Sequence, residues 1–139
     1  MRSLLLASVL CAAAATDPPL RPRVEDTEGI ALGVDAPSPR FSWALPVAAA
    51  RGEAQVAYQL VIADAVAGAS AFDSGKVASN ASQFVRADST VAFAPDSAFA
   101  WAVRWWSSAA PDVPSAWLNA TFTTGVGSGT SDTPWRGAE

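Results

Sequence analysis

From Phe99 to Trp106 the chain reads Phe-Ala-Trp-Ala-Val-Arg-Trp-Trp, with large apolar side chains on every second residue at Phe99, Trp101, Val103 and Trp105. A period of two places all four on one face of an extended strand, because successive side chains in a strand point to opposite sides. A helix would scatter them around its circumference. One face of this strand is therefore committed to a core. Pro95 and Asp96 come just before it, where a proline cannot donate to a sheet ladder and an aspartate bonds its own turn. An apolar stretch, a proline turn and a long aromatic strand follow one another in that order, as in the central strand of a two-layered β protein.

Other segments share the pattern. Phe41 to Leu45 alternates, and Ala54 to Ala63 puts Val56, Tyr58, Leu60 and Ile62 on one face. Shorter strands are predicted over 72–77, 82–86 and 90–94, and longer ones over 99–107 and 117–124. Seven strands separated by turn signals predict an all-β fold, a seven-stranded antiparallel β-sandwich. The sandwich is expected over residues 35–125. Segment 16–34 reads as an extended, proline-containing lead-in, since Pro18, Pro19 and Pro22 exclude a helix. Segment 126–139, rich in Gly, Ser and Thr, reads as a linker and the start of a further domain, with Trp135 near its end.

Residues 1–15 differ from the rest. A basic start at Arg2, an uncharged Leu/Ala-rich run and a close of small residues at Ala13-Ala14-Ala15 predict a secretory signal peptide. The run is too short to span a bilayer, which takes about 20 apolar residues. Leu10 stands before Cys11 where a lipoprotein signal prefers a small residue, which argues against a lipid anchor. Removal of the signal takes away the only cysteine, so the exported domain must hold by packing alone. No membrane span is then expected. The net charge of −4 and the lack of a Lys/Arg cluster argue against nucleic acid as a partner.

The chain contains no histidine, which removes Ser-His and Cys-His pairs together with the commonest metal ligand. No phosphate-cradling glycine loop occurs. Carboxylates remain, and the candidates among them are Glu25, Asp26, Glu28, Asp35, Glu53, Asp64, Asp73, Asp88, Asp96 and Asp112. Nearly all fall at turns or strand ends, where they cap backbone amides. No residue is assigned a catalytic, cofactor-binding or metal-binding role. Trp106 shares the face opposite the core with Arg104 and is expected outward, as a sugar or domain contact with Arg104 packed across it. Trp135 is a further candidate of the same kind. Asn80 and Asn119 each head an Asn-Ala-Ser/Thr triplet, the N-glycosylation pattern.

The spacing Phe93-x-Pro95-x-x-x-Phe99-x-Trp101-x-Val103 resembles the fibronectin type III signature, with Phe99 where that family usually has tyrosine. Three further stretches narrow the likeness: Gly33 to Trp43, Arg51 to Leu60, and Asp73 to Val77. With Ser115-Ala116-Trp117, Phe122 to Gly125 and Trp135 to Glu139, they resemble in order the N-terminal module of bacterial-type α-L-rhamnosidases. The resemblance implies a secreted glycoside hydrolase that removes terminal L-rhamnose with inversion. It places the acid and base on glutamates of a downstream (α/α)-barrel, and no position here matches them. It implies a non-catalytic sandwich whose partners are the downstream domains of the same enzyme; rhamnose-containing glycans, held through Trp106 and Trp135, are the partner in a competing binding-module reading. The rival reading is a stand-alone carbohydrate-binding or adhesion module.

Overall fold

A computed structural model describes residues 16–47 and 51–126. The expected signal peptide, Trp135 and nearly all of the expected linker lie outside the described residues. Ten strands occur among the described residues: β1 Leu20–Val24, β2 Thr27–Glu28, β3 Ala31–Val34, β4 Arg40–Ala44, β5 Gln55–Asp64, β6 Ser70–Asp73, β7 Val85–Arg86, β8 Ala98–Ser107, β9 Ala110–Pro114 and β10 Leu118–Thr124. They form two sheets, one in the order β2-β1-β4-β7 and one in the order β3-β10-β8-β5-β6, with β9 paired to β8. The pairings are antiparallel except β3 with β10, which is parallel. This is an all-β sandwich.

The two best period-two segments of the sequence lie side by side. β5 and β8 pair over nearly their full lengths, with Ile62 opposite Trp101, Leu60 opposite Val103 and Tyr58 opposite Trp105. Their inward faces meet Phe41 and Trp43 of β4 across the sandwich. Phe41 sits edge-on to Trp101 at 5.0 Å between centroids and to Phe122 at 5.7 Å. Phe99 and Phe122, directly opposite in register, stack at 5.3 Å. Edge-on and offset rings are the arrangements that the aromatic quadrupole favours. They fill a core without any covalent staple.

Four expectations are corrected by the strand pattern. Val56 was expected on the buried face of β5, yet it is exposed. A register shift between Gln55 and Ala57 puts two residues against one, the signature of a β-bulge, and turns Gln55 inward instead. There its amide accepts the indole N–H of Trp43 at 3.2 Å and donates to the carbonyls of Ser79 and Ala81 at 3.0 and 2.8 Å. The buried indole N–H and two part-buried carbonyls are thereby satisfied by one side chain.

Segment 90–94 forms no strand. The Asp88 carboxylate accepts both the amide and the hydroxyl of Thr90, and Val91 donates to the Asp88 carbonyl, so the backbone is spent on a turn. Phe93 still packs on Phe99 at 5.2 Å. Segments 82–86 and 72–77 shrink to β7 and to β6 with an isolated Tyr58–Val77 bridge. In segment 16–34, read as lead-in, β1 pairs with β4 and β3 with β10. Pro22 falls between the paired positions Leu20 and Arg23, at a register shift, which is where a strand tolerates proline.

Phe122 is fully buried and touches Phe41, Phe93 and Phe99. Phe122→Ala is expected to cost about 3–5 kcal/mol, the range for emptying an aromatic site in a core. Urea unfolding followed by tryptophan fluorescence measures it, and a loss below about 1 kcal/mol contradicts this packing.

Candidate interaction surface

The outer face of the β3-β10-β8-β5-β6 sheet carries the candidate contact residues Arg104 and Trp106. Alternation along β8 puts Arg104 and Trp106 on this face, yet Trp106 does not lie open to solvent. It is only 5 % exposed. The chain turns back after Ser107, and β9 brings Pro114 opposite Trp106 in register. Lys76 Nζ lies 4.9 Å from the Trp106 ring centre and Arg104 Cζ lies 5.2 Å from it. Lys76 is itself held by a hydrogen bond to the Pro111 carbonyl at 3.0 Å. A cation over an aromatic face is worth about 0.5–1 kcal/mol at a partly exposed site, and here it also keeps other groups off the ring.

Arg104 does more than cover Trp106. Its guanidinium carbon stands 4.4 Å from the ring centre of Trp117, a residue that sequence reasoning did not single out. Its Nε donates to Gln59 Oε1 at 3.0 Å, and Gln59 Nε2 donates to Asp73 Oδ1 at 2.9 Å. The Gln59 amide, the Gly75 N–H and the charge of Arg104 hold the Asp73 carboxyl below its ordinary value. One end of the face is thus a closed chain of mutually satisfied groups. The missed signal was Trp117 two residues before Asn119, in phase with the outward side of β10.

Beyond this polar end the face is apolar and shallow. Val61, Ala63, Ala100 and Ala102 make the floor of a trough of about 510 Å³, and Pro22 and Ile30 stand at its β10 side. Ile30 is 67 % exposed. Asn119 and Thr121 also line the trough, opposite Ala102 and Ala100 in register. Asn80, the other glycosylation candidate, is exposed in the segment between β6 and β7. Structure therefore brings Arg104, Trp106 and Asn119 onto one sheet face, with Asn80 elsewhere.

Several carboxylates serve the backbone and the arginines. Asp64 accepts the amides of Val66 and Ala67, and Asp88 caps its turn; both are held below the ordinary carboxylate range by those bonds. Glu53 accepts the Ser107 hydroxyl. Glu28 pairs with Arg21 and Arg23. Glu25 accepts Arg40 Nε at 2.7 Å and the Arg40 amide at 2.9 Å. Burial pushes the Glu25 carboxyl up, but the Arg40 hydrogen bonds and the charges of Arg40 and Arg86 outweigh it, and the net direction is down. Among the described residues no group of three His, Cys, Asp or Glu is placed to hold a metal ion.

Two sheets closed over an aromatic core define an immunoglobulin-like module. The chain belongs to the family described as the Rha78A-like, N-terminal immunoglobulin domain, whose model matches residues 19–128. Solved structures agree. The α-L-rhamnosidase of Streptomyces avermitilis, complexed with L-rhamnose, is 33% identical and superposes with a TM-score of 0.68 over 79% of this chain and 11% of its own. The α-L-rhamnosidase of Dictyoglumus thermophilum is 30% identical, with a TM-score of 0.66 over 80% of this chain and 13% of its own. The α-L-rhamnosidase of Aspergillus terreus shares the fold at 20% identity and a TM-score of 0.60. No curated protein matches the chain in sequence. The chain thus spans little more than a tenth of the length of the enzymes it resembles.

Two measurements test these contacts. Arg104→Ala uncovers Trp106 and Trp117, so tryptophan emission is expected to shift to longer wavelength with a stability loss of about 1 kcal/mol. An unchanged spectrum contradicts the stacking. A carboxyl depressed by folding stabilises above its unfolded value and ceases to do so as pH falls through the folded one. Glu25, lowered from 4.5, is therefore expected to add to the fall in melting temperature on acidification below about 4.5. Glu25→Gln is expected to show a shallower fall, and parallel pH profiles contradict the pairing.

Proposed function

We propose that this chain is the non-catalytic N-terminal module of a secreted α-L-rhamnosidase-like glycoside hydrolase, and that it works by packing against the other domains of that enzyme. One observation carries the reading: about four fifths of the chain superposes on 11–13% of two α-L-rhamnosidases at 30–33% identity. The chemistry of the described residues supports it. A glycosidase needs two carboxyl groups facing one another across a sugar, one of them with a raised pKa. Here the carboxyls with a resolved shift are all displaced downward, by amides and arginines.

A stand-alone sugar-binding role needs an aromatic face open for a pyranose ring to stack on. Trp106 is buried under Lys76, Arg104 and β9, and Arg104 stands over Trp117. Both rings carry cations where a sugar would stack. The support role is the better reading.

Purified chain incubated with an aryl α-L-rhamnoside is expected to release no more phenol than buffer does. Release that scales with chain concentration and survives repurification overturns the proposal.

A further inference from the structure

The chain contains two asparagines, Asn80 and Asn119, and both head an Asn-Ala-Ser/Thr triplet. About one residue in six is Ser or Thr, so both asparagines meeting the pattern by chance has odds of about one in 36. Both are exposed. Their settings differ. Asn80 stands in a loop, whereas Asn119 stands on the outward side of β10 at the margin of the apolar trough. Asn119 and Thr121 are two residues apart on one strand, so they share this outer face.

The trough is an anomaly for a solvated sheet. The outward side of an antiparallel sheet is normally polar, yet Val61, Ala63, Ala100 and Ala102 face out here, with Ile30 exposed beside them. Ala102 is buried and Val61, Ala63 and Ala100 are half-buried, so the open apolar area is small and one or two sugars suffice to cover it. The volume of about 510 Å³ falls in the range of small-molecule sites, about 300–1,000 Å³. A pyranose ring suits such a floor. It presents C–H groups on its faces and hydroxyls at its rim, and an N-acetyl methyl adds further apolar area.

We propose that Asn119 is an N-glycan attachment site and that the first sugars of its glycan lie along this trough, covering the apolar sheet face. In the attachment step the Asn119 amide nitrogen bonds to C1 of an N-acetylglucosamine carried on a polyprenyl-diphosphate-linked oligosaccharide. The C1–O bond to the diphosphate breaks, the amide nitrogen gives up one proton, and polyprenyl diphosphate leaves. A consequence follows for the module: a glycan rooted on this face bars another domain from docking flat against it. Packing then falls to other surfaces. The inference rests on residues 1–15 exporting the chain, and it stands apart from the enzymatic reading above.

The test places the full chain behind a cleavable export leader of known activity in a eukaryotic secretory host, which separates the acceptor from residues 1–15. Secreted protein is digested with peptide N-glycosidase in heavy-oxygen water, and the peptides holding Asn80 and Asn119 are weighed. Asn119 is expected to convert to labelled aspartate, and Asn119→Gln to lose one glycan. Removing the glycan is also expected to raise binding of an apolar dye by about twofold or more, in Asn119→Gln and in Thr121→Ala but not in Asn80→Gln. Thr121→Ala keeps Asn119 itself and guards against a folding defect peculiar to the first variant. An unmodified Asn119, whether or not Asn80 is modified, overturns the proposal. So does a glycan at Asn119 whose loss leaves dye binding unchanged.

Discussion

The indole of Trp101, edge-on to Phe41 at 5.0 Å, is the contact by which the two sheets hold one another. Trp101 lies on β8, paired to β5 on one side and β10 on the other, and Phe41 lies on β4 in the facing sheet. Around that contact Phe122 and Phe99 complete a seam of rings. No cysteine lies among the described residues to close a loop, so burial and ring packing supply the cohesion. The loops and turns that hold the aspartates hang from this seam.

The legible parts of the sequence were those where periodicity and burial agree. Phe99, Trp101, Val103 and Trp105 are all buried as their spacing predicts, as are Leu60 and Ile62. Val56 broke the pattern because a bulge reads as continued alternation until the partner strand is known. The strands of segment 16–34 were hidden for a different reason. β1 contains a proline at a register shift, β2 has two residues, and β3 exposes Leu32 and Gly33, so none shows a core-facing period. Residues 90–94 show the converse: Val91 and Phe93 alternate, but the Asp88 turn takes the amides. Trp106 was placed on the proper face by parity. Its burial depends on β9 and Lys76, which come from elsewhere in the chain and leave no mark on its local pattern.

The same limits explain how far the surface could be read. Asn119 was visible as a motif, but only the register with Ala102 and Thr121's place opposite Ala100 set it beside an apolar trough. Trp117 belongs to a family-like stretch of the sequence, and its stacking with Arg104 exists only in three dimensions. The outward face of the β3-β10-β8-β5-β6 sheet has a self-satisfied polar end and an apolar remainder. About four fifths of the chain overlays on a small share of two α-L-rhamnosidases.

The central claim is that β5 and β8 form the stable middle to which every other element is attached. Amide hydrogen exchange tests it directly. Amides of Leu60, Ile62, Trp101 and Val103 are expected to exchange only through global unfolding, and those of β6 and β9 through smaller local openings. The slowest rates should then give the same free energy as denaturant unfolding. If the β5 and β8 amides exchange as fast as those of β9, the aromatic seam is not what holds the sandwich together.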